Sequence, residues 1–220
     1  MTKRSVEQMI EEQVNRWRIS KAEKKKVEAA PVITISREPG SGGRIVAKGI
    51  ADKLGFDLFH QEVIHAMAES ANVSERLLET LDEKGLSVID DWVSSLVDDR
   101  HLWPDQYMQH LLKVIGAIGR HGRAVMVGRG ANFVLPPEKR FRVRVVAPRK
   151  LRVERVAREF GVSVGDAERR VMQTEANRRA FIRKYFHGDI ADPTNYDMVI
   201  NTGTVNIDTA VEIIAKAMGK

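Results

Sequence analysis

Residues 32–54 constrain the fold of this chain more than any other stretch. They read Val32-Ile33-Thr34-Ile35-Ser36, then Arg37-Glu38-Pro39-Gly40-Ser41-Gly42-Gly43-Arg44, then Ile45 to Leu54. The first part is a β-branched run suited to a buried strand. In the last part Ile45, Val46, Ile50 and Leu54 are apolar while Lys48, Asp52 and Lys53 are polar, the spacing of a one-faced helix. Three glycines and a serine fill the four positions between Gly40 and Gly43. Glycine permits a positive φ and lets a phosphate approach the backbone with no Cβ in the way. A helix N-terminus behind such a loop adds unpaired N–H groups and a partial positive charge. The stretch reads as a phosphate cradle; the alternative is a tight strand-to-helix turn with no ligand.

The strict pattern G-x-x-x-x-G-K-[ST] is not met. With Gly42 on its second glycine, Arg37 falls on the first, Gly43 on the lysine and Arg44 on the Ser/Thr position. A cation remains in Arg44, with Arg37 and Lys48 nearby. Arginine can grip phosphate bidentately, but it is not a neat substitute for the lysine that bridges transferring phosphates. Phosphate binding is therefore the firmer expectation, and phosphoryl transfer the further one.

At 220 residues the chain can bury the core of one α/β domain with an appendage. It has no cysteine, which excludes a disulfide framework, a thiol nucleophile and a thiolate metal site, and fits a reducing cytoplasm. No apolar run approaches the ~20 residues of a membrane span, so no membrane partner is expected. Residues 1–30 read as an amphipathic helical extension: Val6, Met9, Ile10, Val14 and Trp17 recur at helical spacing, and the helix dissolves into Lys21-Ala22-Glu23-Lys24-Lys25-Lys26. Its apolar face has two equal destinations, the body of its own domain or a second copy of the chain in a homodimer.

The rest, 31–220, alternates strands and helices. Strands are expected at 56–59, 124–127, 141–146 and 198–200, and a closing helix at 205–218. A mostly helical insertion spans 72–121, with Ser74 as a candidate cap. The alternation argues for a parallel sheet covered by helices on both faces. In such a sheet ligands sit at the carboxyl ends of the strands, where the glycine loop, Gly128-Arg129-Gly130 and Asn201-Thr202-Gly203 would gather. His101, His110 and His121, and the pairs Asp90-Asp91 and Asp98-Asp99, form no metal-ligand spacing, so the metal ligands stay unassigned.

Between Lys139 and Lys184 there are 15 Lys and Arg against 5 Asp and Glu, a larger excess than the chain's formal net charge of +6. A solvated basic face is the usual meaning of such a run. Here several of the arginines follow helical spacing beside expected strand ends. Neutralising clustered phosphate charge is what phosphoryl transfer demands, and one well-placed arginine can be worth ~10³–10⁵ in rate.

Together Ile33–Leu54, Gly128-Arg129, Arg152 with Arg155, Glu175-Ala176-Asn177-Arg178 and Tyr196–Thr202 resemble the cytidylate kinase branch of the P-loop nucleoside monophosphate kinases. The closest resemblance is to the group called cytidylate kinase-like proteins. It covers roughly residues 32–218 and implies a P-loop NTPase-type sheet, a helical monophosphate-binding region and a lid over 163–190. It also implies an ATP:nucleoside-monophosphate phosphotransferase working with Mg²⁺, CMP or dCMP being the acceptor. Gly40, Ser41, Gly42, Gly43 and Arg44 would hold ATP phosphates. Arg129, Arg152, Arg155 and Glu175 would bind the acceptor, while Arg178, Arg179 and Arg183, with Arg44, would act in transfer. The chain departs from the pattern at the missing lysine, at Gly130 in place of an aspartate, and at His60-Gln61-Glu62 in place of Asp-Ser-Gly. It departs again at Ala66 and at Val171 in place of arginines. A nucleotide-binding regulator without turnover, or a nucleic-acid-binding protein resting on the basic segment alone, are the other classes open to the sequence. The latter lacks any recognised RNP, KH or zinc-finger signature.

Overall fold

The computed structural model describes residues 5–22 and 31–218. Five strands, β1 (Val32–Arg37), β2 (Asp57–Phe59), β3 (Ala124–Val127), β4 (Arg140–Val146) and β5 (Met198–Asn201), form one sheet. Its order is β2-β3-β1-β4-β5, and every neighbouring pair is parallel. The helices that matter most are α1 (Val6–Ala22), α2 (Gly43–Leu54), α3 (Gln61–Glu69), α4 (Ala71–Leu78), α5 (Glu83–Asp99), α6 (Gln106–His121), a one-turn α7 (Ala131–Val134), α8 (Arg149–Phe160), α9 (Val164–Phe186) and α10 (Ile207–Met218).

Period-two alternation divides the sheet between two cores. Ile33 and Ile35 of β1, Val125 and Val127 of β3, and Val143 and Val145 of β4 face α2 and α10, meeting Val46, Ile50, Val211 and Ile214. Val32, Ala124 and Met126 face the opposite way, into the larger core with α3 and α6 and their buried Ile64, Met67, Leu111 and Ile115. Helices thus cover both faces, as a buried parallel sheet requires.

The 72–121 stretch is helical, as expected, in α4, α5 and α6. The cap of α4 is Ser70, whose hydroxyl accepts from the Val73 amide, whereas Ser74 lies buried inside the helix. Residues 163–186 make one continuous helix capped by the Ser163 hydroxyl, which accepts from the Asp166 amide at 3.1 Å. Its first half packs on α8 through Val153, Val156, Ala167 and Val171. Its far end joins the larger core through Ile182 and Phe186.

The apolar face of α1 lies on its own domain. Ile10, Val14 and Trp17 are buried in the larger core, and Arg16 and Gln13 reach Asp57 at 2.9 and 2.8 Å. The sequence offered that face equally to a second copy; in this fold the chain itself covers it. Most of the lysine run after α1 lies outside the described residues.

Trp17 stacks on the His121 ring, with centroids 4.0 Å and planes 8° apart. Burial, with Arg120 adding, pushes the His121 imidazole down to about 4. The folded protein therefore holds it neutral while the unfolded chain protonates near 6.5. Its stabilisation is complete above pH 6.5 and is lost as pH falls toward 4, by at most about 3 kcal/mol. Melts followed by circular dichroism should show wild type losing several degrees between pH 6.5 and 4.5, a loss that His121→Phe does not share.

Candidate active site

The carboxyl ends of β1, β3, β4 and β5 converge, and hydrogen bonds join the loops that leave them. The Glu38 amide donates to the Val145 carbonyl at 3.0 Å, the Gly128 amide to Ile35 at 3.1 Å, and the Thr202 amide to Val146 at 2.9 Å. The glycine loop turns on Gly40 and Gly42, with φ of +76° and +78°, and Gly42 caps α2 in the left-handed conformation. Helix α2 begins two residues earlier than the apolar spacing suggests, so Gly43 and Arg44 belong to its first turn. The Ser41 side chain closes the loop on itself, donating to the Glu38 carbonyl at 2.8 Å, and Thr202 Oγ1 donates to the Ser41 carbonyl at 2.6 Å.

Two cavities flank this convergence. One, of about 500 Å³, lies against the glycine loop and is lined by Gly40, Gly42, Gly43, Arg44, Arg155 and Arg158. The other, of about 320 Å³, is lined by Gln61, Arg129, Asn132, Asn177 and Phe181. Arg37 and Arg178 line both. Arg178 Nη1 donates to the Arg37 carbonyl at 2.7 Å, which ties α9 to the end of β1. Burial pushes Arg178 down to about 10; Arg144 and Arg44 add to this and Glu62 opposes it.

The other arginines read from the sequence divide by position. Arg129 sits in the left-handed region at φ +54° between Gly128 and Gly130, both also positive, the kind of strained backbone that clusters at functional sites. Its Nε is buried without a partner and its guanidinium lies 5.4 Å over the Phe181 ring. Arg44 is well exposed and reaches Glu62 at 3.4 Å. Arg179 lines a small cleft with Arg144, Glu175 and Arg178, whereas Arg183 is exposed and lines neither cavity. Arg152 is buried: its Nε donates to the Ala147 carbonyl at 2.8 Å, and it pairs with Glu38 at 3.3 Å and Glu175 at 2.6 Å. Arg155 reaches Thr202 through Oγ1 at 3.1 Å and the carbonyl at 3.0 Å. The structure thus places Arg37, Arg44, Arg129, Arg155 and Arg178 on the walls of the two cavities and Arg179 with Glu175 on the small cleft that shares Arg37 and Arg178 with them. Arg152 through its two carboxylates, and Arg155 through Thr202, also brace the loop.

Among the described residues no group of three or more His, Cys, Asp or Glu is placed to hold a metal ion. Glu38 is taken up by Arg152 and by the Ala147 amide at 3.0 Å. Burial raises the Glu62 carboxyl, but its own backbone amide, Arg44, Gln61 and Arg37 together hold it below the usual carboxylate range. None of the described helices is long and apolar enough to cross a membrane.

Three residues of these walls were given no role from the sequence: Arg37, noted only as a cation near Arg44, and Gln61 and Asn177, noted only within longer motifs. Their signal was weak. Arg37 ends a strand whose six residues are all buried, and an arginine closing such a strand needs a buried partner or a ligand.

Comparison with known proteins agrees with this architecture. A solved structure of an uncharacterised protein from Eubacterium ventriosum shares the fold, with a TM-score of 0.60 at 20% identity over 86% of this chain and 99% of that one. A cytidylate kinase from Ignicoccus hospitalis is 28% identical over 85% of this chain and 98% of its own length. One from Archaeoglobus fulgidus is 28% identical over 84% and 93%. The sequence model of the cytidylate kinase-like family matches residues 32–204. The loop, the sheet order and that match agree along one continuous stretch, and the chain belongs to the cytidylate kinase-like family.

Proposed function

We propose that the protein transfers the terminal phosphoryl group of ATP to a nucleoside monophosphate, with CMP or dCMP as the acceptor to try first. The observation that supports this reading best is the pair of cavities sharing a guanidinium wall. A donor on the glycine loop and an acceptor beside Arg129 would meet there in line. The backbone of Gly40–Gly43 and the first turn of α2 receive the donor phosphates. Arg44 stands at the mouth of that cavity, and Arg129 binds the acceptor phosphate. Arg178 and Arg179 neutralise charge between the two, while Arg152, Arg155 and Glu175 keep the loop in register. An oxygen of the acceptor phosphate bonds to the γ-phosphorus as the bond to the bridging oxygen breaks, and ADP leaves with that electron pair. Mg²⁺ would enter with the ATP phosphates, which together with water supply most of its ligands, and would neutralise phosphate charge there.

The test is ADP release coupled to a panel of ribo- and deoxynucleoside monophosphates. CMP or dCMP should turn over fastest. Arg129→Ala should raise the acceptor KM by roughly 10–100-fold while the ATP KM stays within about threefold, since a charge-assisted phosphate contact is worth ~1.5–3 kcal/mol. ATP binding without product for any acceptor would turn the reading toward a nucleotide-binding regulator.

A further inference from the structure

In a P-loop the lysine after the second glycine reaches the β- and γ-phosphates. That position is Gly43 here, and the structure shows why no lysine can stand there. A Cβ on Gly43 would lie 2.5 Å from Arg37 Cβ and 3.1 Å from its Cγ. The space over Gly43 is filled by the stem of Arg37, which occupies the position where the pattern has its first glycine. The guanidinium continues across the strand ends until it lies against Gly128, where a Cβ would overlap Nη1. Nη2 donates to Gln61 Oε1 at 2.7 Å.

Arg37 is only 6% exposed, and its Nε is buried with no partner. No carboxylate of a described residue is paired with it. A guanidinium has five N–H donors in a fixed fork, and a neutral amide satisfies only part of it. Burial and the neighbouring Arg178 push the group down to about 9, against the more distant Glu62 carboxylate, which favours the charge; it is still charged at neutral pH. A buried cation in this state, on the wall common to both cavities, is the counterpart of an anion that both would share.

We propose that Arg37 replaces the missing lysine: the loop's cation has moved from position 43 to position 37, where it contacts the phosphoryl group in transit. This deepens the kinase reading and rests on it. Two departures from the usual loop then become one exchange, because glycine at 43 is what lets arginine at 37 lie across the loop. Gln61 holds one arm of the fork without competing for its charge, as a carboxylate there would.

The experiment measures kcat and both KM values with ATP and the best monophosphate, together with a thermal melt of each variant. Arg37→Gly should lower kcat by at least ~10², with acceptor KM changed less than about threefold. Arg37→Lys keeps a cation on a single-point head and should regain part of that loss. Gly43→Lys alone should be inactive because of the overlap with Arg37. Arg37→Gly with Gly43→Lys writes G-x-x-x-x-G-K across positions 37–43 and should recover at least about tenfold of the kcat lost in Arg37→Gly. The inference is overturned if Arg37→Gly keeps kcat within about threefold of wild type. It is also overturned if the Lys and Gly variants, both folded, lose equally, or if the double variant is no faster than Arg37→Gly. A wild-type protein that turns over no monophosphate would instead sink the kinase reading. In that event calorimetry with ATP and ADP decides Arg37 by itself: Arg37→Gly should erase any preference for ATP over ADP, and an unchanged ratio overturns the inference.

Discussion

Gly40→Ala should cut turnover by at least ~10² and lower the melting temperature, a large loss for the addition of a single methyl group. Two costs add at that position. Gly40 has φ +76°, and an L-residue in the left-handed region costs roughly 1–2 kcal/mol. The larger cost is steric, because the new Cβ would overlap the carbonyl oxygen of Arg152 and lie 2.9 Å from its Cα. That neighbour is backbone in the first turn of α8 and cannot swing aside as a side chain can. Either the loop or the helix start must move, and both carry the donor cavity. The expected loss is on the order of 2–4 kcal/mol and at least ~10² in kcat, since about 1 Å of misplacement is enough for that. Gly161 provides the control. It has a similar φ of +62° but nothing within 4 Å of where a methyl group would sit, so Gly161→Ala should cost about 1 kcal/mol and leave kcat unchanged. Denaturation midpoints and coupled turnover on the two variants separate steric from conformational cost. Equal behaviour would mean that the contact with Arg152 does not shape the loop.

The strands could be read from their short, mostly apolar runs, and the two-sided covering from the alternation of strands with helices. Their order could not. Nothing in Phe56-Asp57-Leu58-Phe59 says that β2 lies beyond β3 rather than beside β1; that follows from right-handed crossovers and from which helices fill each side. Within the site, the glycine loop was read from local spacing and the Gly128-Arg129-Gly130 turn from its place after a strand, while the role expected of Arg129 came from the family resemblance alone. Arg152 and Arg155 were legible as a pair on one helix, but their side chains part company three residues apart, one to Glu38 and Glu175 and the other to Thr202. Spacing along a helix gives a shared face, not a shared partner. Arg37 was visible as a cation near the loop, but its place in the site was hidden for a different reason. Its meaning lies in Gly43, Gly128 and Gln61, which approach it only after three strands have been laid side by side.

Arg152→Ala should be recognised first by a fall in stability, and this distinguishes two roles for that residue. A residue that only bound the acceptor would raise its KM and leave the melt alone. In the structure Arg152 is 5% exposed and joins three elements at once: Glu38 after β1, the Ala147 carbonyl after β4, and Glu175 on α9. Removing it leaves Glu38 with only the Ala147 amide and Glu175 with only the more distant Arg178, both carboxylates without the cation they share. A fully buried pair broken this way costs ~3–5 kcal/mol. The Glu38 and Glu175 side chains keep 22% and 32% of their exposure, so solvent screens part of that cost and about 2–4 kcal/mol is expected. For a domain of this size the melting temperature should fall by roughly 5–12 °C. Glu175→Gln should recover part of the loss in the Arg152→Ala background, because it removes one of the uncompensated charges. The direction of that second effect is the decisive one. If Glu175→Gln worsened the Arg152→Ala protein, the carboxylates would not be repelling each other, and the ion pairs would not be what holds α9 against the glycine loop.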